Sequence, residues 1–189
     1  TGFQLLTLGR LVPRKGVAWF IREVMPLLPE DIHYRVAGDG PDKENISLAR
    51  DELRRPERVA LLGPVSEEEK QRLLYSADLF LQPNIPVEND IEGFGLVVLE
   101  AAAVGLPVLA SRLEGLRDAI CEGENGLLVE ARDAQGFSEA IMNLHAEPEK
   151  RRELGHSARR YVARNCQWQH IASRYLDALQ TLARPQKRD

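Results

Sequence analysis

Near the start of the chain stands Gln4-Leu5-Leu6-Thr7-Leu8-Gly9-Arg10-Leu11-Val12-Pro13-Arg14-Lys15-Gly16. Gln4 to Gly9 is a short apolar run closed by glycine, the length and composition of a buried strand. From Lys15 to Leu28 the apolar residues fall at 17, 20, 21, 24 and 28, the spacing of one helix face. A strand running through a short loop into a helix is the opening unit of an α/β fold, and the rest of the chain repeats it. Ile32 to Gly38 predicts a second strand, Pro41 to Leu53 a helix with proline in its first turn, and Arg58 to Gly63 a third strand. Ser66-Glu67-Glu68-Glu69 opens a helix as a capping box, with acids where the helix dipole favours them. Asp78 to Gln82, Pro107 to Ser111 and Gly126 to Val129 read as further strands, with helices over Gly95 to Val104 and Glu114 to Cys121. From Asp133 onward only helices are expected, over 134–146, 148–164 and 168–183.

Strand and helix alternating about six times predicts a Rossmann-like parallel sheet of about six strands with helices on both faces. Right-handed crossovers bring the strand C-termini to one edge, where ligands bind near the switch in strand order. The loops that follow strands are therefore the ones to read. No low-complexity linker or internal repeat interrupts the chain, so 1–189 reads as a single domain, long enough to bury a core without disulfides or metals. Apolar residues at 43% and charged residues at 29% argue against a disordered chain, a collagen-like repeat and a small disulfide scaffold. No apolar run approaches the roughly 20 residues of a membrane span. The start Thr1-Gly2-Phe3 lacks both a Met and a signal region, which suggests a piece cut from a longer protein.

The net charge of −4 gives no global pointer to nucleic acid. It is unevenly spread, because residues 148–189 hold ten Lys/Arg against four Asp/Glu. That surplus reads as a solvated helical face, or as a surface for an acidic partner or a membrane. Cys121 and Cys166 have no CxxC partner, and the four histidines form no HxxxH pattern. Reduced structural cysteines, a cytosolic location and no metal are expected.

Three loops carry chemistry. Arg10, Arg14 and Lys15 crowd just ahead of a helix start, where cations are disfavoured unless an anion joins them. A phosphate would reverse that sign, with free N–H groups and cations acting together; the plain alternative is an exposed basic loop. Gly38-Asp39-Gly40 permits a tight turn and close backbone approach to a ligand, without the third glycine of a dinucleotide fingerprint. In Glu92-Gly93-Phe94-Gly95-Leu96, two glycines bracket a helix start, and Glu100 follows within an otherwise apolar stretch. Carboxylates accept hydrogen bonds from vicinal hydroxyls, so Glu92 and Glu100 suit a sugar or ribose. Cations for a diphosphate, glycines for close approach and two acids for hydroxyl-rich rings make the inventory of a nucleotide-sugar site.

The order of these motifs resembles the retaining glycosyltransferases of family 4, also called group 1. Further agreement comes from Leu62-Gly63-Pro64-Val65-Ser66, Gly105-Leu106-Pro107-Val108 and Gly123-Glu124-Asn125-Gly126-Leu127-Leu128-Val129. The resemblance runs from Leu5 to about Leu182 and is to the C-terminal, donor-binding half of the two-domain GT-B architecture. It implies a missing N-terminal acceptor domain as partner and a nucleotide-diphosphate sugar as donor. It further implies retention at the anomeric carbon and no cofactor or essential metal. By resemblance, Arg10 and Lys15 hold the diphosphate and Glu92 contacts the sugar; these three form the expected catalytic set. Glu100 would take the ribose, and Val65 would lie near the base. Gly9, Gly38, Gly40, Gly93, Phe94, Gly95 and Leu96 would supply close backbone around the donor.

The segment Pro83 to Ile91 is several residues longer than the family's usual spacing, and mobility is expected there. Trp168 and the apolar positions from Ile171 to Leu182 suit packing on the partner domain or on this domain's own sheet. Exposed apolar surface there would favour a dimer. No nucleic-acid partner is expected. The full-length enzyme is expected in the cytoplasm, with peripheral association at the inner membrane face as a further expectation. Two other readings share the inventory: a GT-B relative working as a sugar-nucleotide epimerase or phosphorylase, and a non-catalytic nucleotide-binding module.

Overall fold

The computed structural model of the chain describes residues 2–91, 93–113 and 115–167, and beyond these 172–173, 175–177 and 179–180. Six strands form one sheet: β1 (Phe3–Leu8), β2 (Ile32–Ala37), β3 (Val59–Gly63), β4 (Leu79–Gln82), β5 (Val108–Ser111) and β6 (Leu127–Val129). Their order is β3-β2-β1-β4-β5-β6, and every neighbouring pair is parallel. The expected six-stranded Rossmann-like sheet is therefore present. The order reverses between β1 and β4, which are paired through Leu5 with Leu79 and Leu6 with Phe80.

Both faces of the sheet are apolar because both are covered. Leu5, Leu79 and Leu81 belong to one core cluster, with α1 (Val17–Glu23), α2 (Lys43–Asp51) and α6 (Ala134–Ala146) packed over them. Leu6, Leu8 and Phe80 face the other way. They meet α3 (Glu67–Ser76), α4 (Leu96–Ala103), α5 (Leu116–Ala119) and α7 (Pro148–Asn165). Each central strand thus buries side chains on both faces, which is why the sequence shows continuous apolar runs there and no alternation. α4 itself is almost wholly apolar, since Val98, Ala101 and Ala102 are fully buried against the sheet.

The strands fall where expected to within a residue or two. The first helix does not. Residues Pro13–Lys15 make a single 3-10 turn, Gly16 takes a left-handed conformation (φ 66°), and α1 begins only at Val17. It stops at Glu23, and a 3-10 turn at Met25–Leu27 follows, because Pro26 offers no N–H to continue it. The expected helix over 114–121 shortens to Leu116–Ala119. The capping box at Ser66 forms in full: Glu69 N donates to Ser66 Oγ at 3.2 Å, and Ser66 N donates to Glu69 Oε2 at 2.9 Å. Most of the helix expected over 168–183, including Trp168 and Ile171, lies outside the described residues; Tyr175, Leu176 and Leu179 are described and exposed. No helix among the described residues is long and apolar enough to cross a membrane. Cys121 and Cys166 are both free thiols.

Candidate functional site

The loops after β1, β2, β3 and β4 meet at the C-terminal edge of the sheet, around the reversal of strand order. Backbone hydrogen bonds stitch them together. Gly9 N donates to Ala37 O at 3.0 Å, Leu11 N to Asp39 O at 2.9 Å, and Gly38 N to Gly63 O at 2.8 Å. From the other side, Ile85 N donates to Arg14 O at 2.9 Å.

The glycines of this edge divide into two kinds. Cβ atoms added at Gly38 and Gly40 would meet Gly9 O at 1.8 Å and Leu11 O at 2.2 Å. Within the chain, the close approach these two allow is to the neighbouring loop. Gly9 and Gly93 are the opposite case: both are exposed, and a Cβ on either would touch nothing within 4 Å. Gly95 is the buried, left-handed N-cap of α4 (φ 68°), pressed against Leu116. Phe94 and Leu96 beside it are exposed.

The three cations of the first loop have three different surroundings. Arg10 is exposed and has no ion pair among the described residues. Arg14 is half-buried, with its Nε 3.0 Å from Asp90 Oδ1. Lys15 is 8% exposed and part of the folded loop. The cluster is therefore not a uniformly solvated basic patch.

The acids also differ. Glu92 lies outside the described residues. Glu100, on α4, is exposed, and its Oε2 accepts from Lys70 Nζ at 3.0 Å. Lys70, on α3, also reaches Glu67 Oε2 at 3.0 Å. Its bond to Glu67, and then that to Glu100, raises the Lys70 ammonium above its ordinary value. The same lysine holds the Glu67 carboxyl below the usual carboxylate range. Val65, between β3 and α3, is half-buried against the core.

The segment expected to be mobile is folded back on itself. Val87 and Asp90 form an antiparallel bridge, with Asn89 left-handed at φ 61°. The Arg14–Asp90 pair and the Ile85–Arg14 backbone bond dock it on the first loop.

Beneath the site lie buried polar groups that the sequence reading did not single out. Thr7 Oγ1 donates to Leu81 O at 2.8 Å, leaving the Tyr34 hydroxyl to donate to Thr7 at 2.7 Å. This ties β2, β1 and β4 together just below the cations. Burial pushes the Tyr34 phenol up, partly offset by Thr7. Gln82 is fully buried at the end of β4 and donates to Asn84 Oδ1 at 3.0 Å. A polar residue closing an apolar strand was the available signal for Gln82; nothing local marks Lys70 or Asp90.

A cleft of about 490 Å3 lies elsewhere, between α1 and α2, lined by Arg22, Met25, Leu53 and Arg58 among others. Its buried Arg58 donates to the carbonyls of Ile32, Leu28, Pro29 and Met25, so its guanidinium serves the fold.

Residues 1–161 match the family model described as glycosyl transferases group 1. The chain belongs to this family. Over 179 residues it is 31% identical to the GDP-mannose-dependent alpha-(1-6)-phosphatidylinositol monomannoside mannosyltransferase of Mycolicibacterium smegmatis. That match covers 93% of this chain and 47% of the relative. It is 33% identical over 173 residues to the D-inositol 3-phosphate glycosyltransferase of Corynebacterium efficiens, covering 87% of this chain and 39% of that protein. In fold it is similar to Anabaena HepE in complex with UDP, with a TM-score of 0.81 at 21% identity, covering 95% of this chain and 49% of that one. The chain spans about half the length of the curated relatives it matches. As a group 1 member, it carries the expected loops in the expected order around the switch point.

Proposed function

We propose that this chain is the nucleotide-sugar-binding part of a retaining glycosyltransferase. The observation that carries the reading is that the exposed Arg10, beside the uncrowded Gly9, follows β1, while the segment entering α4 at Gly93 follows β4, the strand paired with β1 at the reversal of order. Open backbone, a cation and a helix start together suit a diphosphate. Membership of group 1 supports the same reading.

In this reading Arg10 and Lys15 hold the donor diphosphate. Its negative charge grows as the glycosidic bond breaks, so cations fixed beforehand stabilise the transition state more than the ground state. Two cations and a helix terminus supply this without a divalent metal. Glu92 orients the sugar, Glu100 receives the ribose hydroxyls, and Val65 lies by the base. Gly93, Phe94, Gly95 and Leu96 form the wall next to the sugar, while Gly38 and Gly40 keep the Gly9 loop in place. A second domain in the full-length protein brings the acceptor. The enzyme works in the cytoplasm, at the inner membrane face where its acceptor is lipid-borne.

The test is a thermal-shift screen of UDP, GDP, ADP and their sugars. GDP-mannose is the first donor to try, because the M. smegmatis relative is named for dependence on it. Stabilisation by at least one nucleoside diphosphate supports the reading; none by any at millimolar concentration contradicts it. Product analysis with the full-length protein then separates transfer from epimerisation or phosphorolysis of the donor.

A further inference from the structure

Lys70 links the two helices that flank the nucleoside half of the proposed site. It stands on α3, one turn past the Val65 bend, and its ammonium reaches across to α4. There it meets Glu100 Oε2 at 3.0 Å, while Glu67 Oε2 lies at 3.0 Å on its own helix. Its side chain is 23% exposed, against 45% for Glu100 and 72% for Glu67. The cation is thus tucked beneath two acids.

We propose that Lys70 is a positioning residue for ribose recognition, acting through Glu100. This rests on Glu100 being the ribose acceptor. A diol is held best by a carboxylate whose plane is already fixed, because otherwise binding must freeze the glutamate's rotors. Lys70 engages one carboxylate oxygen, Oε2, and leaves Oε1 without a partner among the described residues. One oxygen is anchored and the other is presented. A carboxylate oxygen also accepts more than one hydrogen bond, so the anchored oxygen still has capacity for a hydroxyl. The lysine has a second effect. Without it, Glu67 and Glu100 are two like charges with no cation between them, and Glu100 turns away toward water.

A plain surface ion pair of this kind contributes little to stability. The test therefore reads nucleotide selectivity. The chain is titrated calorimetrically with GDP and UDP and with their 2′-deoxy forms, using wild type, Lys70→Met and Lys70→Arg. For whichever base binds, wild type is expected to prefer the ribose form by about tenfold, the worth of one good hydrogen bond to a charged group. Lys70→Met is expected to narrow that ratio to within about threefold, with affinity for the 2′-deoxy form nearly unchanged. Lys70→Arg is expected to keep it. If Lys70→Met weakens both forms equally and the ratio stays intact, the lysine serves only the fold or another part of the ligand, and the inference is overturned. If wild type binds both forms equally, Glu100 is not a ribose residue and the inference falls while the nucleotide site stands. If wild type binds no nucleotide at all, the proposed function itself fails, and Lys70 with it.

Discussion

A Cβ on Gly38 would lie 1.8 Å from the carbonyl oxygen of Gly9. Gly38 also sits at φ 144°, where side chains are strained. The loop bearing Arg10 therefore rests directly on the bare backbone of the next loop. Gly38→Ala is expected to destabilise the chain by more than about 2 kcal/mol, from adverse φ and overpacking together. Gly93→Ala, with open space around it, should stay within about 0.5 kcal/mol. Urea unfolding of the two variants checks this, and equal losses would contradict it.

Asp90 ties the long segment after β4 to Arg14 of the loop after β1. The pair is partly exposed and worth under about 1 kcal/mol, so Asp90→Ala should leave the unfolding midpoint almost unchanged. It should, however, loosen residues 85–91 locally. Limited proteolysis followed by mass spectrometry is expected to show cleavage in this segment several times faster than in wild type. Unchanged cleavage would mean that the backbone bond from Ile85 to Arg14 suffices to dock it.

Tyr34 links stability to alkaline pH. Burial keeps its phenol protonated in the folded chain, whereas the unfolded chain ionises it near its ordinary value of about 10. Its folded value is raised, so its contribution is whole below about pH 10 and is lost as pH climbs further. The slope is about 1.4 kcal/mol per pH unit for one group. Tyr34→Phe removes this dependence and costs the hydrogen bond to Thr7. Urea midpoints between pH 8 and 11 should therefore fall less steeply in the variant. Parallel curves would show that Tyr34 ionises without unfolding.

Features written in local sequence were legible before the structure. The capping box at Ser66 needs only residues 66 and 69, and the 13-residue α6 announces itself by periodicity from its Asp133 cap. The sheet followed from apolar runs, because strands covered on both faces leave no polar alternation to confuse them. The helix expected at Lys15 was misjudged because the apolar spacing continues across Gly16 and Pro26, whose backbone needs interrupt it. For Gly38 and Gly40 the sequence signalled a need for bare backbone but not whose approach required it; the partners, Gly9 and Leu11, lie on another strand's loop. The same non-locality hid the Asp90 partner of Arg14 and the Lys70 partner of Glu100. Charges far apart in sequence carry no mark of their pairing.

In the proposed function, the loop after β1 binds the diphosphate of a nucleotide through Arg10. This is tested most directly by calorimetric titration of UDP and GDP into wild type and Arg10→Ala. Arg10 is exposed, so its loss should spare the fold. Binding of at least one nucleoside diphosphate by wild type, weakened tenfold or more in the variant at an unchanged melting temperature, is the predicted result, since a hydrogen bond to a charged group is worth about 1.5–3 kcal/mol. Binding that is equal in both proteins, or absent from wild type at millimolar concentration, would contradict diphosphate recognition by Arg10.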